Sequence, residues 1–163
     1  TRTISDIQSQ DKEYLARVSL GKETTTLDIF GDVLRKKEVP EIDSKKVNLV
    51  LDCFKGKILQ SPPAFSAVRK NSVRLYSLAR KDIFIKLKPR EVEVFSIDLV
   101  GIDSNYVDIN VKCSKGTYIR ALARDIALKL GTVGHLSSLK RLSIGGFDRK
   151  KCKEFDFILN ENL

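Results

Sequence analysis

The sequence contains no methionine, one histidine (His135) and only three cysteines, Cys53, Cys113 and Cys152, which lie far apart. Each shortage excludes something. Without a methionine, Thr1 is not expected to be a native start, and the chain reads as a fragment or a processed product. Three scattered cysteines build no disulfide framework, and with a single histidine they offer no zinc site of ordinary spacing. They read as small buried hydrophobes in a reducing, cytosolic compartment. No serine or aspartate arrangement around His135 suggests a hydrolytic triad, so that residue reads as a satisfied loop histidine. No apolar run approaches the roughly 18 to 20 residues of a membrane helix. The opening Thr1-Arg2-Thr3-Ile4-Ser5-Asp6 also lacks the charged and apolar regions of a signal peptide.

What is present is the composition of one globular domain: 163 residues, 42% hydrophobic and 31% charged. Lysine and arginine number 30 against 21 acidic residues, a net charge of +9 that favours a polyanionic partner. The excess is not spread evenly. Residues 1–60 are nearly neutral, with 11 basic and 10 acidic side chains. Residues 61–90 hold eight basic residues, among them Arg69, Lys70, Arg74 and Arg80, against Asp82 alone. Residues 115–141 hold six, including Lys115, Arg120 and Arg124, against Asp125. A solvated basic face would explain either block. Interleaved Phe65, Tyr76 and Tyr118 lean towards RNA, because aromatic rings stack bases where cations hold phosphates.

The hydrophobic periodicity predicts an α+β fold. Tyr14, Ala16, Val18 and Leu20 alternate with polar neighbours as in a strand that ends near Gly21. A threonine-rich stretch follows, with a turn at Gly31. After Pro40, Asp43 or Ser44 can cap a helix whose Val47, Val50, Leu51 and Phe54 share one face, and Gly56 stops it. Ser61-Pro62-Pro63 favours an extended entry into the basic block, within which Leu75, Leu78 and Ala79 allow a short helix. Residues 91–99 and 106–112 read as an antiparallel hairpin joined by residues 101–105. A helix follows from about Tyr118 to Leu130, with Ile119, Leu122, Ala123, Ile126 and Leu130 as its apolar stripe. A short apolar segment (Leu136, Leu139, Leu142, Ile144) precedes a basic tail. There is no internal repeat.

The chemistry concentrates where the second hairpin strand meets that helix, at Cys113-Ser114-Lys115-Gly116-Thr117-Tyr118-Ile119-Arg120. Such a junction presents backbone N–H groups to an anion. Arg120 sits in the first turn against the helix macrodipole, and with Arg124 it forms a like-charge i, i+4 pair. These conflicts point to a carboxylate or phosphate partner outside the helix. Two solvated arginines are the alternative.

Residues 113–125, Cys-Ser-Lys-Gly-Thr-Tyr-Ile-Arg-Ala-Leu-Ala-Arg-Asp, resemble the CSKGTYIR(S/T)LARD motif of the TruB family of tRNA pseudouridine synthases. The resemblance covers most of the chain. Thr1-Arg2 resembles the end of the family's G-x-A-T-(K/R) segment, and Asp11-Lys12-Glu13-Tyr14 its D-K-x-Y. Gly21 through Gly31 follows L-G-x-x-T-x-T-x-D-x-x-G, and residues 60–68 resemble Q-x-P-P-x-(F/Y)-S-A-(V/L). Residues 74–80 resemble R-L-Y-x-x-A-R, and His135-Leu136 with Leu139 and Arg141 resembles H-L-x-x-L-x-R. D-K-x-Y and T-x-T-x-D point to the stand-alone bacterial type.

The resemblance implies a pseudouridine synthase catalytic fold: a mixed, largely antiparallel sheet with flanking helices. Residues 61–90 would form a basic thumb insertion, although Ser72 stands where the family's thumb has glycine. It implies isomerisation of uridine to pseudouridine in the T-loop of tRNA, at position 55, with no cofactor and no metal. Tyr14 would stack on the flipped uracil and assist late removal of the C5 proton. Arg120 would pair with the nucleophilic aspartate, Tyr118 would line the pocket and Leu139 would pack on the target nucleotide. RNA binding would fall to Arg69, Lys70, Arg74, Tyr76, Arg80 and Lys115.

The family's nucleophile lies in a G-T-L-D-P motif upstream of D-K-x-Y, and this sequence begins between the two. Thr26-Leu27-Asp28 imitates part of that motif, but no proline follows and it aligns with T-x-T-x-D, so Asp28 reads as a decoy. The chain alone is expected to be inactive and, with strands of the sheet missing, to self-associate. No C-terminal PUA domain is expected. The alternative is a non-catalytic RNA-binding domain or tRNA chaperone on the same scaffold.

Overall fold

A computed structural model describes residues 9–63, 69–70, 73–74 and 88–148. Among the described residues, ten strands and two helices of a turn or more follow one another. β1 (Lys12–Leu20), β2 (Lys22–Thr24) and β3 (Val33–Lys36) precede helix α1 (Ser44–Asp52). β4 (Gly56–Gln60), the two-residue strands β5 (Arg69–Lys70) and β6 (Val73–Arg74), β7 (Arg90–Asp103) and β8 (Tyr106–Cys113) lead to helix α2 (Ile119–Lys129). β9 (Gly134–Ile144) and β10 (Phe147–Asp148) complete the described part.

Six strands form one sheet in the order β10-β9-β1-β8-β7-β4. Its ladders are all antiparallel. An isolated parallel bridge joins Asp28 to Leu136. β1 is central because its period-two pattern offers one complete apolar face: Tyr14, Ala16, Val18 and Leu20 are buried, and Arg17 between them is exposed. Val107, Ile109 and Val111 of β8 and Val94 and Ile97 of β7 continue that face. The two helices cover it, α1 through Val47, Val50 and Leu51 and α2 through Ile119, Leu122, Ala123 and Ile126. The opposite face is polar. There Arg17 forks onto Asp108 with both N–O distances at 2.7 Å, and Asn110 donates to Glu13 at 3.0 Å.

The helices expected after Pro40 and from about Tyr118 are present with firm ends. Asp43 caps α1, its carboxylate accepting the Lys46 N–H at 2.7 Å. Gly131, at φ +92°, closes α2 in the left-handed conformation usual just past a helix.

Two expectations are corrected, and two segments left unassigned by the sequence gain structure. The hairpin is longer than its alternation implied, with only Ser104 and Asn105 between β7 and β8. Register shifts in the β7–β8 ladder near Phe95 and Val100 blur the pattern there. The threonine-rich stretch contributes the β2–β3 hairpin, which carries the Arg35–Glu23 ion pair at 2.6 Å. The apolar segment before the tail is β9, paired along β1. Cys53 is exposed rather than buried, because it caps α1 away from the Val47–Val50–Leu51 stripe. Cys113 is buried as expected, and burial pushes its thiol pKa up. Cys152 and the helix suggested by Leu75, Leu78 and Ala79 lie outside the described residues.

Candidate active site

The β8–α2 junction folds as its sequence requires. Gly116 takes φ +80° in open space, where a Cβ would meet nothing within 4 Å but the backbone conformation disfavours any side chain. Thr117 Oγ1 donates to the Ser114 carbonyl at 2.9 Å, tightening the turn. The junction is a narrower anion site than the sequence implied. The Ser114 N–H is spent on the Glu93 carbonyl, and the Tyr118 N–H on the Gln60 side chain. Lys115 is exposed beside it.

Arg120 resolves its conflict with the helix dipole through a carboxylate. Its Nη1 donates to Asp28 Oδ2 at 2.9 Å and to the Thr26 carbonyl at 3.0 Å. Both side chains are mostly shielded, Arg120 at 26% and Asp28 at 20% exposure. Asp28 is itself fixed: Oδ1 accepts from Thr26 Oγ1 at 2.6 Å and from the Phe30 N–H at 3.1 Å. Its carbonyl accepts from Thr24 Oγ1 at 2.6 Å. The preceding Leu27 adopts φ 61°, a strained conformation for a branched apolar residue, and its carbonyl accepts the Leu136 N–H of β9. Strain at a residue held from both sides is common where function needs a fixed geometry. Arg124, one turn later, pairs with the adjacent Asp125 at 2.8 Å.

Sequence reasoning set Asp28 aside; the structure makes it the partner of Arg120. The T-x-T-x-D pattern was the available signal, since Thr24 and Thr26 are the hydroxyls that hold the aspartate. Tyr14 and Leu139 also come to the helix-covered side of the sheet. Tyr14 is buried at 7% exposure and pairs across the ladder with Arg141, whose guanidinium lies 5.5 Å from the ring centre. Leu139, opposite Ala16, is 46% exposed despite its apolar side chain. Tyr118 is half-buried at the N-cap of α2. His135 is bonded through Nδ1 to the Lys22 carbonyl at 2.9 Å. Arg69, Lys70 and Arg74 belong to the β5–β6 hairpin, which pairs Arg69 with Arg74. Tyr76, Arg80 and Phe65 lie outside the described residues. Among the described residues no cluster of three His, Cys, Asp or Glu side chains could hold a metal ion.

A family model described as TruB family pseudouridylate synthase (N terminal domain) matches residues 1–119. The chain belongs to the TruB family. It is 39% identical over 157 residues to a tRNA pseudouridine synthase B of Francisella philomiragia, covering 96% of this chain and 52% of that protein. It is 36% identical over 163 residues to one of Clostridium tetani, covering 100% of this chain and 56% of that protein. The chain thus spans about half the length of the curated relatives it matches. A solved structure titled "Crystal Structure of a Cbf5-Nop10-Gar1 Complex" superposes with a TM-score of 0.65 at 27% identity, covering 91% of this chain and 35% of that one. A second, an "H/ACA RNP bound to a substrate RNA containing 2'-deoxyuridine", gives a TM-score of 0.61 over 91% of this chain; at 23% identity it speaks to the fold alone. TruB membership fits the order of motifs along the chain and the antiparallel α+β architecture.

Proposed function

We propose that this chain is the thumb-bearing part of a tRNA pseudouridine synthase that isomerises uridine at position 55 of the T-loop. The observation that carries the reading is the shielded Arg120–Asp28 pair, whose aspartate bridges to Leu136 of β9, the strand paired with the one bearing Tyr14. The target base leaves the stack and enters the site. The C1′–N1 bond breaks, a C1′–C5 bond forms, the C5 proton leaves and N1 gains one. The nucleophilic aspartate comes from a segment upstream of Thr1. Arg120, held by the Asp28 carboxylate and the Thr26 carbonyl, orients the nucleophile, as the family resemblance implies. Tyr14 meets the uracil on the ring face now beside Arg141 and takes part in removing the C5 proton. Tyr118 lines the pocket, and Leu139 offers its exposed apolar surface to the nucleotide.

Loss of the C5 proton gives the test. The 163-residue chain should release no tritium from tRNA labelled at uridine C5, whereas the complete protein should. Release by the chain alone would refute the assignment of the nucleophile to the upstream segment. The same reading makes β4, the end strand of the sheet with Leu59 75% exposed, an edge open to self-association.

Residues 61–90 act as the thumb that clasps the T-arm, and the insertion leaves the sheet between two paired neighbours, Gln60 and Arg90. Binding through it is mainly electrostatic. If about four to six phosphates are contacted, affinity falls with salt at a log–log slope of roughly −0.7 to −0.9 per phosphate. Replacing Arg69, Lys70 and Arg74 together by alanine should flatten that slope. Binding isotherms between low and moderate salt measure it, and an unchanged slope would remove the thumb from the interface.

A further inference from the structure

We infer that Gln60 is a positioning residue for Arg120, acting through the first turn of α2; the inference rests on the functional reading above. Gln60 ends β4, is 3% exposed, and uses its whole side-chain amide on a single residue 58 positions away. Its Oε1 accepts the Tyr118 N–H at 2.7 Å, and its Nε2 donates to the Tyr118 carbonyl at 3.1 Å. That carbonyl also accepts the first helical bond, from the Leu122 N–H at 3.0 Å. Tyr118 is the N-cap of α2, and its own side chain makes no capping bond. The start of the helix is therefore fixed from β4, two residues before the arginine that reaches Asp28.

The arrangement is more specific than satisfaction of a buried amide requires. Two bonds to both backbone groups of one residue set its rotation as well as its position. Any turn of Tyr118 about the helix axis swings Arg120 relative to Asp28 and Thr26. Gln60 also stands where the chain leaves the sheet for residues 61–90, followed by the buried Pro62 and Pro63. The root of that insertion and the start of the arginine-bearing helix are thus one hydrogen-bonded unit.

Gln60→Glu in the complete protein provides a titratable test. A protonated glutamic acid reproduces both bonds, accepting from the Tyr118 N–H and donating to its carbonyl. An ionised one has no donor and faces that carbonyl with negative charge. Burial and the facing carbonyl raise the pKa of the introduced acid, while the Tyr118 N–H and the N-terminus of α2 oppose them and set how far it rises. The variant should therefore match the parent at low pH and fail as pH rises through that raised value. The ratio of variant to parent single-turnover rates at saturating tRNA should be near one at about pH 5.5. It should fall by about 10²-fold at alkaline pH, the scale of a misplacement of about 1 Å. tRNA affinity should stay within about threefold, because the displaced group faces the protein. Gln60→Ala should be slow at every pH. Should Gln60→Ala fail to fold, the acid limb of Gln60→Glu, where the parent geometry is restored, still decides.

A purely structural role predicts a different result: a urea midpoint that moves with pH while the rate ratio of the folded protein stays flat. A ratio near one at every pH overturns the inference. A readout independent of turnover is the Arg120 side-chain Nε–Hε resonance, assigned by its loss in Arg120→Lys. It should shift in Gln60→Glu over the same pH interval and stay put in the parent. If the parent forms no pseudouridine, the functional reading falls, and the resonance alone decides whether Gln60 positions Arg120.

Discussion

Arg120→Lys in the complete protein is expected to lower the single-turnover rate by orders of magnitude while leaving tRNA affinity nearly unchanged. The guanidinium spans the Asp28 carboxylate and the Thr26 carbonyl from one nitrogen, in a geometry fixed by a planar group. A lysine ammonium is a point charge on a flexible stem and cannot meet Asp28 and aim at a second carboxylate with the same orientation. The partner lies within the protein, so removing the fork costs alignment of the reacting groups rather than RNA contact. Asp28→Asn should act in the same direction, since an amide nitrogen can turn a donor towards donors. An arginine that bound phosphate instead would show the reverse: weaker binding, a smaller salt slope and nearly normal turnover at saturating RNA. Arg124→Lys is the control, because Arg124 pairs with Asp125 and touches neither Asp28 nor Thr26 through any bond described here. Single-turnover rates and binding isotherms on the three variants separate the two readings. Lost affinity with a preserved rate for Arg120→Lys would show that the arginine does not serve the nucleophile.

Leu122→Ala should produce the largest loss of stability among single substitutions on the same helix. Leu122 is fully buried where α2 meets the sheet, and its neighbours in the core include Ile119 and Ile126. Truncation removes apolar burial and leaves a cavity that close-packed neighbours fill only in part. About 2–5 kcal/mol should be lost, a large share of the roughly 5–15 kcal/mol typical of a domain. Leu128 makes the comparison direct. It lies on the same helix, is 44% exposed, and should change stability by no more than about 0.5 kcal/mol when replaced by alanine. Urea unfolding curves of the two variants measure the contrast. Equal losses would mean that α2 does not dock through the stripe described. Because α2 carries Arg120, a loosened helix should also slow turnover in Leu122→Ala below its unfolding midpoint.

The parts of this fold legible in the sequence are those whose pattern is local. The alternation of Tyr14, Ala16, Val18 and Leu20 marks β1, and the stripe from Ile119 to Leu130 marks α2, because each periodicity matches one geometry. β9 was not legible as a strand. Leu136, Leu139 and Leu142 fall every third residue, and only pairing along β1, with a register shift opposite Arg17 and Val18, settles the extended form. The β2–β3 hairpin likewise depends on Glu23 meeting Arg35, twelve residues on.

The site divides in the same way. A cation in the first turn of α2 announced that some anion must meet it. Which anion depends on long-range packing: the loop between β2 and β3 bridges to Leu136 of β9, and residues 92 positions apart come into contact. In the sequence Asp28 reads as a decoy because Thr26-Leu27-Asp28 imitates a nucleophile's motif, whereas Thr24 and Thr26 fit it to hold an arginine. Gln60 carried no chemical signal at all, since an isolated glutamine says nothing about a partner 58 residues away.

On the proposed reading, this fold places a flipped uridine of the T-loop beside Arg120 for isomerisation. Position-resolved mapping of pseudouridine tests it most directly, with the complete protein acting on unmodified tRNA and on the same tRNA carrying cytidine at position 55. Pseudouridine should form at position 55 of the first tRNA and at no position of the second. Pseudouridine elsewhere, or none in either tRNA despite binding, would contradict that reading.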